Sequence, residues 1–127
     1  MKDTPRPTQS ELEILTVLWD AGPSTVREVQ QTLDARRRIG YTTVLKLLQI
    51  MTEKGLVRRD ARERAHRYTP TLPRERTEQQ MVGDLLDRAF GGSASRLVMR
   101  ALSSRRATPE ELERIRTLLD EIEGEKR

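Results

Sequence analysis

The apolar positions near the start of the chain recur at helical spacing in two short stretches. Thr8 with Glu11 forms a capping-box pattern ahead of the first stretch, and Thr25 with Glu28 repeats it ahead of the second. Gly22, followed directly by a proline, separates the stretches and predicts the end of the first helix. The pattern therefore predicts two short helices joined by a tight turn.

A third apolar stretch at helical spacing runs from about residue 41 to residue 54 and stops at Gly55, a residue that commonly ends helices. A basic turn over residues 34–40 precedes it. Residues 56–59 and 66–69 then have the short, mixed pattern of two strands around a charged link. Three helices followed by a basic hairpin is the element order of a winged helix.

After two prolines the pattern becomes helical again and predicts three amphipathic helices. The first ends at Gly91-Gly92, the second starts near Ser93, and the third opens with the start signal Thr108-Pro-Glu-Glu111. The predicted fold class is mainly α with a small β-hairpin, a winged helix-turn-helix followed by a three-helix dimerisation domain. The predicted domains are residues 1–72 and 73–127.

Composition narrows the class of protein. Of the 127 residues, 35% are hydrophobic, 35% are charged and only 3% are aromatic, which fits a polar globular chain with an aliphatic core. There is no cysteine, which excludes disulfides and thiolate chemistry. No targeting segment and no membrane-spanning apolar run is present, so the expected location is the cytoplasm and no membrane partner is expected.

Charge divides unevenly between the predicted domains. Residues 1–72 hold 13 Lys and Arg against 9 Asp and Glu, whereas residues 73–127 hold 11 of each. The whole net charge of +4 therefore belongs to the predicted winged helix. This division favours contact with a polyanion such as double-stranded DNA by the first domain.

The third predicted helix carries short polar side chains opposite its apolar face. Thr42, Lys46 and Gln49 share one face with Thr43 beside them, and these four are the predicted base-reading residues. The alternative interpretation is an ordinary solvated helix face, which the neighbouring basic turn and hairpin disfavour. The predicted phosphate contacts come from that turn and from the hairpin tip: Arg37, Arg38, Arg62 and Arg64.

The sequence offers no chemistry for an enzyme. It contains no glycine-rich phosphate loop, no metal-ligand cluster and no nucleophile beside a base, so neither a metal nor a cofactor is expected. His66 is the single histidine, and strand packing or surface exposure is its expected role. The rival hypothesis to DNA binding is a protein-interaction adaptor whose helical tail recruits a partner.

The helical tail is predicted to form a homodimer, because about 55 residues with one aromatic side chain make a marginal core alone. Its apolar faces are then the predicted dimer interface. The alternative is that the tail packs on its own winged helix. The predicted interface residues are Met81, Val82, Leu85, Leu86, Phe90, Leu97, Val98, Leu102, Leu112, Ile115, Leu119 and Ile122.

Several runs in order resemble the penicillinase repressor family, the BlaI/MecI/CopY type. They are Gln9–Trp19, Thr25–Val29, Tyr41–Leu45 and Glu53–Arg58, joined in the tail by Phe90-Gly-Gly92 and Thr108–Leu112. The resemblance implies a winged helix that binds a pseudo-palindromic operator, a dimerising tail, and transcriptional repression.

The resemblance also implies two known routes of induction. The beta-lactam branch uses a membrane sensor protease as partner and is cleaved at an Asn-Phe bond, whereas the corresponding place here is near Arg100-Ala101. The copper branch uses a C-terminal cysteine cluster, which this chain lacks. Neither familiar switch transfers directly, and the choice between repressor and activator is left open by the residues themselves.

Overall fold

A computed structural model describes residues 6–125 of the chain. The described residues form two compact units that divide between Met81 and Val82, inside the fourth helix. The predicted boundary between the DNA-binding and dimerisation domains, at residues 72 and 73, lies before that helix. It concerns function rather than compactness and stays a prediction. The elements are α1 (Gln9–Ala21), α2 (Val26–Asp34), α3 (Tyr41–Lys54), β1 (Val57–Asp60), β2 (Arg67–Pro70), α4 (Arg74–Ala89), α5 (Ala94–Ser104) and α6 (Pro109–Glu125).

Both predicted capping boxes are present. The Thr8 hydroxyl accepts the Glu11 backbone N–H at 3.2 Å, and the Glu11 carboxylate accepts the Thr8 N–H at 2.9 Å. Thr25 and Glu28 exchange the same two bonds at 3.2 and 2.9 Å. These pairs satisfy backbone donors that a helix leaves unpaired at its start, which fixes where α1 and α2 begin.

The third helix has the bounds that the sequence predicts. It ends at Gly55, whose φ of 81° lies in the left-handed region that glycine adopts without strain. The Leu56 N–H then donates to the Met51 carbonyl at 2.9 Å and so closes the last turn. This cap turns the chain directly from α3 into β1.

The hydrophobic core of the first unit lies between α1, α2, α3 and the base of the hairpin. Among the described residues, every buried hydrophobic side chain belongs to this unit. They are Ile14, Leu15, Val17, Leu18, Val26, Val29, Leu33, Val44, Leu48, Met51, Leu56, Val57 and Tyr68. Trp19 is half-buried against this core, and its Nε1 donates to the Leu72 carbonyl at 3.1 Å.

The hairpin is antiparallel, with Val57 opposite Pro70 and Asp60 opposite Arg67. Both strands lie one residue later than predicted, with Val57 and Pro70 as the pair at the base of the ladder. Leu56 joins the helix cap to the hairpin, since its N–H closes the cap and its carbonyl accepts the Thr71 N–H at 3.0 Å. Ser24, in the turn before α2, exchanges two backbone hydrogen bonds with Tyr68 at 3.2 and 2.8 Å. This bridge ties the base of the hairpin to the helical part of the unit.

The second unit contains the end of α4 together with α5 and α6. Ser93 caps α5 through the Arg96 N–H at 3.2 Å, and Thr108 and Glu111 form a third capping box at 3.0 Å in both directions. Neither α5 nor α6 has a buried residue. Within residues 6–125, no helix combines the length and apolarity required to cross a membrane.

Candidate nucleic-acid interface

The third helix is anchored on one side and solvent-facing on the other. Val44, Leu48 and Met51 are completely buried in the core of the first unit. Thr42, Thr43, Lys46 and Gln49 are all exposed. The fold therefore fixes the helix by its apolar face and presents the four predicted base-reading side chains together as one polar strip.

A contact between two side chains beside the start of this helix was missed by sequence reasoning. Tyr41 is 44% exposed, and the guanidinium of Arg27, from α2, lies 5.4 Å from the centre of its ring. This distance is in the range of a cation–π contact. Nothing in the local sequence indicates it, because it depends on how α2 and α3 pack.

An open cleft of about 370 Å³ lies between the hairpin and the beginnings of α2 and α3. Arg27, Tyr41, Arg64 and His66 contribute to its lining. It places the predicted phosphate ligand Arg64 next to the start of α3. His66 is exposed here, one of the two situations expected of it.

The four predicted phosphate contacts differ in how free their charge is. Arg38 and Arg64 are exposed and have no ion-pair partner among the residues described. The Arg37 guanidinium lies 3.0 Å from the Glu13 carboxylate. Arg62 donates hydrogen bonds to the Asp60 carboxylate from Nε at 3.0 Å and from Nη2 at 2.7 Å. The first two arginines are thus available to an anion directly, and the last two must exchange a carboxylate for it.

The contact between Arg62 and Asp60 is strong for an exposed pair. Hydrogen bonds from the Arg62 side chain and backbone, with its positive charge, lower the pKa of Asp60 to about 2. The same contact raises the pKa of Arg62. Because 88% of the Arg62 side chain is accessible, water screens this pair and it contributes little to folding. Its consequence is to hold the tip arginine against the hairpin.

The hairpin offers two further cations that the sequence reasoning did not select. Arg58 and Arg59 are exposed on β1. Arg67 on β2, by contrast, is engaged with Glu28 at 3.1 Å, with the Pro23 carbonyl at 3.2 Å and with Glu63 at 3.5 Å. The free positive charge of the hairpin therefore lies on β1 and at the tip.

The predicted dimer residues of the tail are accessible in the single chain. Seven of the twelve are exposed and five are half-buried. Two large apolar side chains, Met99 at 60% and Leu118 at 54% exposure, extend this surface and were missed by the sequence reasoning. The five predicted dimer residues that are half-buried are Leu86, Phe90, Leu97, Leu112 and Ile115.

Three helices, a bridged two-stranded hairpin and an exposed polar face on the third helix define a winged-helix protein. Residues 7–121 match the family described as penicillinase repressor. The chain belongs to this family, as its sequence motifs predict.

Similar proteins agree with this assignment. The chain is 35% identical to "Transcriptional regulator BlaI" of Mycobacterium tuberculosis over 115 residues, which are 90% of this chain and 83% of that protein. It is 25% identical, with a TM-score of 0.51, to the solution structure of Bacillus licheniformis BlaI in monomeric form in complex with the blaP half-operator. That likeness covers 59% of this chain and 92% of the other.

A third likeness extends over almost the whole length. The structure of h. salinarum RosR has a TM-score of 0.55 and covers 96% of this chain and 98% of its own, at 20% identity. At that identity it shows the fold alone. The predicted fold class, a winged helix followed by a helical region, is confirmed.

Proposed function

We propose that this protein is a sequence-specific DNA-binding transcriptional repressor that occupies a pseudo-palindromic operator as a homodimer. The observation that carries the proposal is the exposed strip of Thr42, Thr43, Lys46 and Gln49 on a helix whose other face is completely buried. Family membership and the Bacillus licheniformis BlaI complex with a half-operator support it.

The strip suits the edges of bases in a major groove. Threonine hydroxyls bond bases or phosphates and their methyl groups contact thymine, lysine favours guanine, and glutamine pairs with adenine through two hydrogen bonds. Because all four residues belong to one helix held by its buried face, the positions of their Cα atoms relative to one another are set before DNA arrives. Direct reading by α3 is therefore the proposed source of sequence choice.

The arginines around this helix supply the part of the affinity that does not depend on sequence. Arg38 precedes the helix and Arg64 lies beside its start, so both can bind the backbone on the two sides of the groove. Arg37 and Arg62 join them once phosphate replaces their carboxylate partners. The hairpin then acts as the wing.

Dimerisation would place two recognition helices roughly 34–36 Å apart, the spacing of successive major grooves. The tail supplies the contact surface, since no residue of α5 or α6 is fully buried in the part of the chain that the structure describes. Weakening this contact would release the operator, which is the proposed route of induction. Cleavage at the corresponding place, near Arg100-Ala101, would cut the same element, because both residues lie inside α5, although the family's Asn-Phe bond is absent there.

Lys46→Ala tests the reading strip. We expect operator affinity to fall by about 10-fold, in line with the 1–3 kcal/mol that a specific base contact contributes. Fluorescence anisotropy with operator and scrambled duplexes, at several salt concentrations, measures the change. The matched control is Arg76→Ala, which also removes one exposed cation, from α4. Equal losses in both variants on both duplexes would contradict a reading role.

Asp60→Asn tests the wing. Removing the carboxylate that holds Arg62 is expected to raise DNA affinity several-fold at low salt and to steepen the salt dependence by about one phosphate contact. The control is the same substitution in an Arg62→Ala background. A gain that persists there would come from the lost negative charge alone and would argue against Arg62 as a phosphate ligand.

A further inference from the structure

The cleft beside the start of α3 collects positive charge and no negative charge. Arg27 and Tyr41 line it from the helices, and Arg64 and His66 line it from the hairpin. Among the described residues, no aspartate or glutamate belongs to its lining. A cleft with this charge, open to solvent on one side, suits an anionic group that is part of a longer chain.

The carboxylates next in sequence to the two cleft arginines are engaged elsewhere. Glu28 follows Arg27, and Glu63 precedes Arg64. Arg67 contacts both carboxylates, with its Nη1 at 3.1 Å from Glu28 Oε1 and its Nε at 3.5 Å from Glu63 Oε2. Arg27 and Arg64 are exposed and have no ion-pair partner in the part of the chain that the structure describes. The charge of the cleft is therefore uncompensated.

The ring of Tyr41 positions the guanidinium of Arg27. The two groups lie 5.4 Å apart, a cation–π distance. Because the ring is neutral, this contact leaves the positive charge of Arg27 available to an anion. It also limits the conformations that a flexible side chain samples, so less conformational entropy is lost when a ligand binds.

The cleft lies beside the proposed reading residues. Tyr41 and Leu45 line it, and each directly precedes a reading residue, Thr42 and Lys46. One position corresponds to about 100° around a helix, so the cleft flanks the face of α3 that points at the groove. The first helix of a helix-turn-helix crosses the DNA backbone, and α2, which carries Arg27, is that helix. The anionic group that this place favours is a backbone phosphate.

We propose that the cleft binds one phosphodiester of the DNA backbone between Arg27 of α2 and Arg64 of the hairpin, with Tyr41 as a positioning residue for Arg27. His66 supplies a ring N–H donor on the hairpin side. The inference rests on the proposed DNA binding and adds ligands outside α3. A phosphate held by two separate elements fixes the register of α3 on the duplex without reading any base.

Neutralising single phosphates tests the cleft. The probe is a duplex that the unaltered full-length protein selects from a random pool, synthesised again with an uncharged methylphosphonate at one backbone position at a time. At the position that the cleft binds, we expect the methylphosphonate to weaken binding about 10-fold, and Arg27→Ala to weaken binding of the unmodified duplex by a similar factor. Both changes together should weaken binding little more than either one, because they remove the same contact. Arg64→Ala should couple to the same position.

The matched control is Arg76→Ala, which removes an exposed cation of α4 and whose effect should add to that of every methylphosphonate. Circular dichroism on heating checks that the variants are folded. Additive losses for Arg27→Ala at every backbone position would overturn the inference. Saturable binding of inorganic phosphate alone, together with such additive losses, would assign the cleft to a free anion instead. A protein that selects no duplex would overturn the DNA-binding proposal itself, which is a separate result.

Two substitutions of Tyr41 test its positioning role. Tyr41→Leu removes the ring and is expected to weaken binding about 3-fold, whereas Tyr41→Phe keeps the ring and should bind like the unaltered protein. In an Arg27→Ala background, Tyr41→Leu should have no further effect. An equal loss in the leucine and phenylalanine variants would assign the effect to the hydroxyl, and a loss that persists without Arg27 would show that Tyr41 does not act through it. Either result would overturn the positioning role.

Discussion

Replacing Leu102 and Leu119 by aspartate is expected to leave the protein monomeric and to lower its affinity for a full operator by more than about 100-fold. Both side chains are large, apolar and exposed in the single chain, at 40% and 52%. The proposed dimer contains two copies of each leucine and buries all of them, and burying one leucine contributes about 1.5–3 kcal/mol. A carboxylate at the same place opposes burial altogether.

The expected loss of affinity for the full operator arises because the two protomers of a dimer bind the two half-sites together. When one protomer is bound, its partner meets the second half-site at an effective concentration in the millimolar range, and a monomer loses that advantage. Affinity for an isolated half-site should therefore stay within about 2-fold, because all the proposed reading residues lie in the first unit, away from both substitutions. Sedimentation velocity and anisotropy with full and half operators measure both quantities.

The matched control is the pair Leu102→Met and Leu119→Met, which keeps both positions apolar and of similar volume. This control should remain dimeric and bind the full operator normally. Loss of half-site binding by the aspartate variant would mean that its winged helix is damaged. Full operator affinity in a monomeric aspartate variant would contradict the role of the dimer.

Local signals in the sequence were enough for the helices. The three capping boxes, at the starts of α1, α2 and α6, each place a threonine and a glutamate three residues apart. The hydrogen bonds that begin these helices therefore form between residues of a single turn, and the sequence alone predicts them. Gly55 marks the end of α3 in the same local way. The exposure of the proposed reading residues also followed from helical periodicity, because burial of Val44, Leu48 and Met51 fixes which face of α3 points outward.

Contacts between distant residues could not be predicted in the same way. The strands lie one residue later than expected, since their register depends on the α3 cap and on the bridge from Ser24. The ion pairs of two predicted phosphate contacts are also invisible in the sequence. Arg62 and Arg37 look alike as free arginines in the sequence, yet both hold carboxylates in the structure. The contact of Arg27 with Tyr41 depends equally on tertiary packing.

The pair of Glu11 and Lys54 is another contact of this kind, and it joins the start of α1 to the end of α3. Lys54 Nζ lies 2.7 Å from Glu11 Oε1, which also accepts the Thr8 backbone N–H at 2.9 Å. Glu11 is only 3% exposed. Burial acts most strongly on its pKa and would raise it, but the hydrogen bonds from Lys54 and Thr8 and the lysine charge together leave the pKa lowered.

Glu11→Gln is expected to reduce the free energy of unfolding at pH 7 by about 2 kcal/mol, below the 3–5 kcal/mol typical of a fully buried pair because Lys54 is partly solvated. Because the folded-state pKa lies below its ordinary value of 4.5, this stabilisation is present above that pH. It is lost as the pH falls through the folded-state pKa. The difference between the two proteins should therefore shrink in that acid range.

Urea unfolding at a series of pH values from neutral down to strongly acidic measures this difference. The control is Glu13→Gln on the same helix, which removes the carboxylate from a pair 33% and 49% exposed and should cost less than about 1 kcal/mol. An equal, pH-independent loss in both variants would show that the buried charge of Glu11 stabilises the fold no more than the exposed charge of Glu13 does. A loss of unfolding free energy that is larger at neutral than at acidic pH, and that occurs only in Glu11→Gln, would show that the buried charge of Glu11 stabilises the packing of α3 against α1.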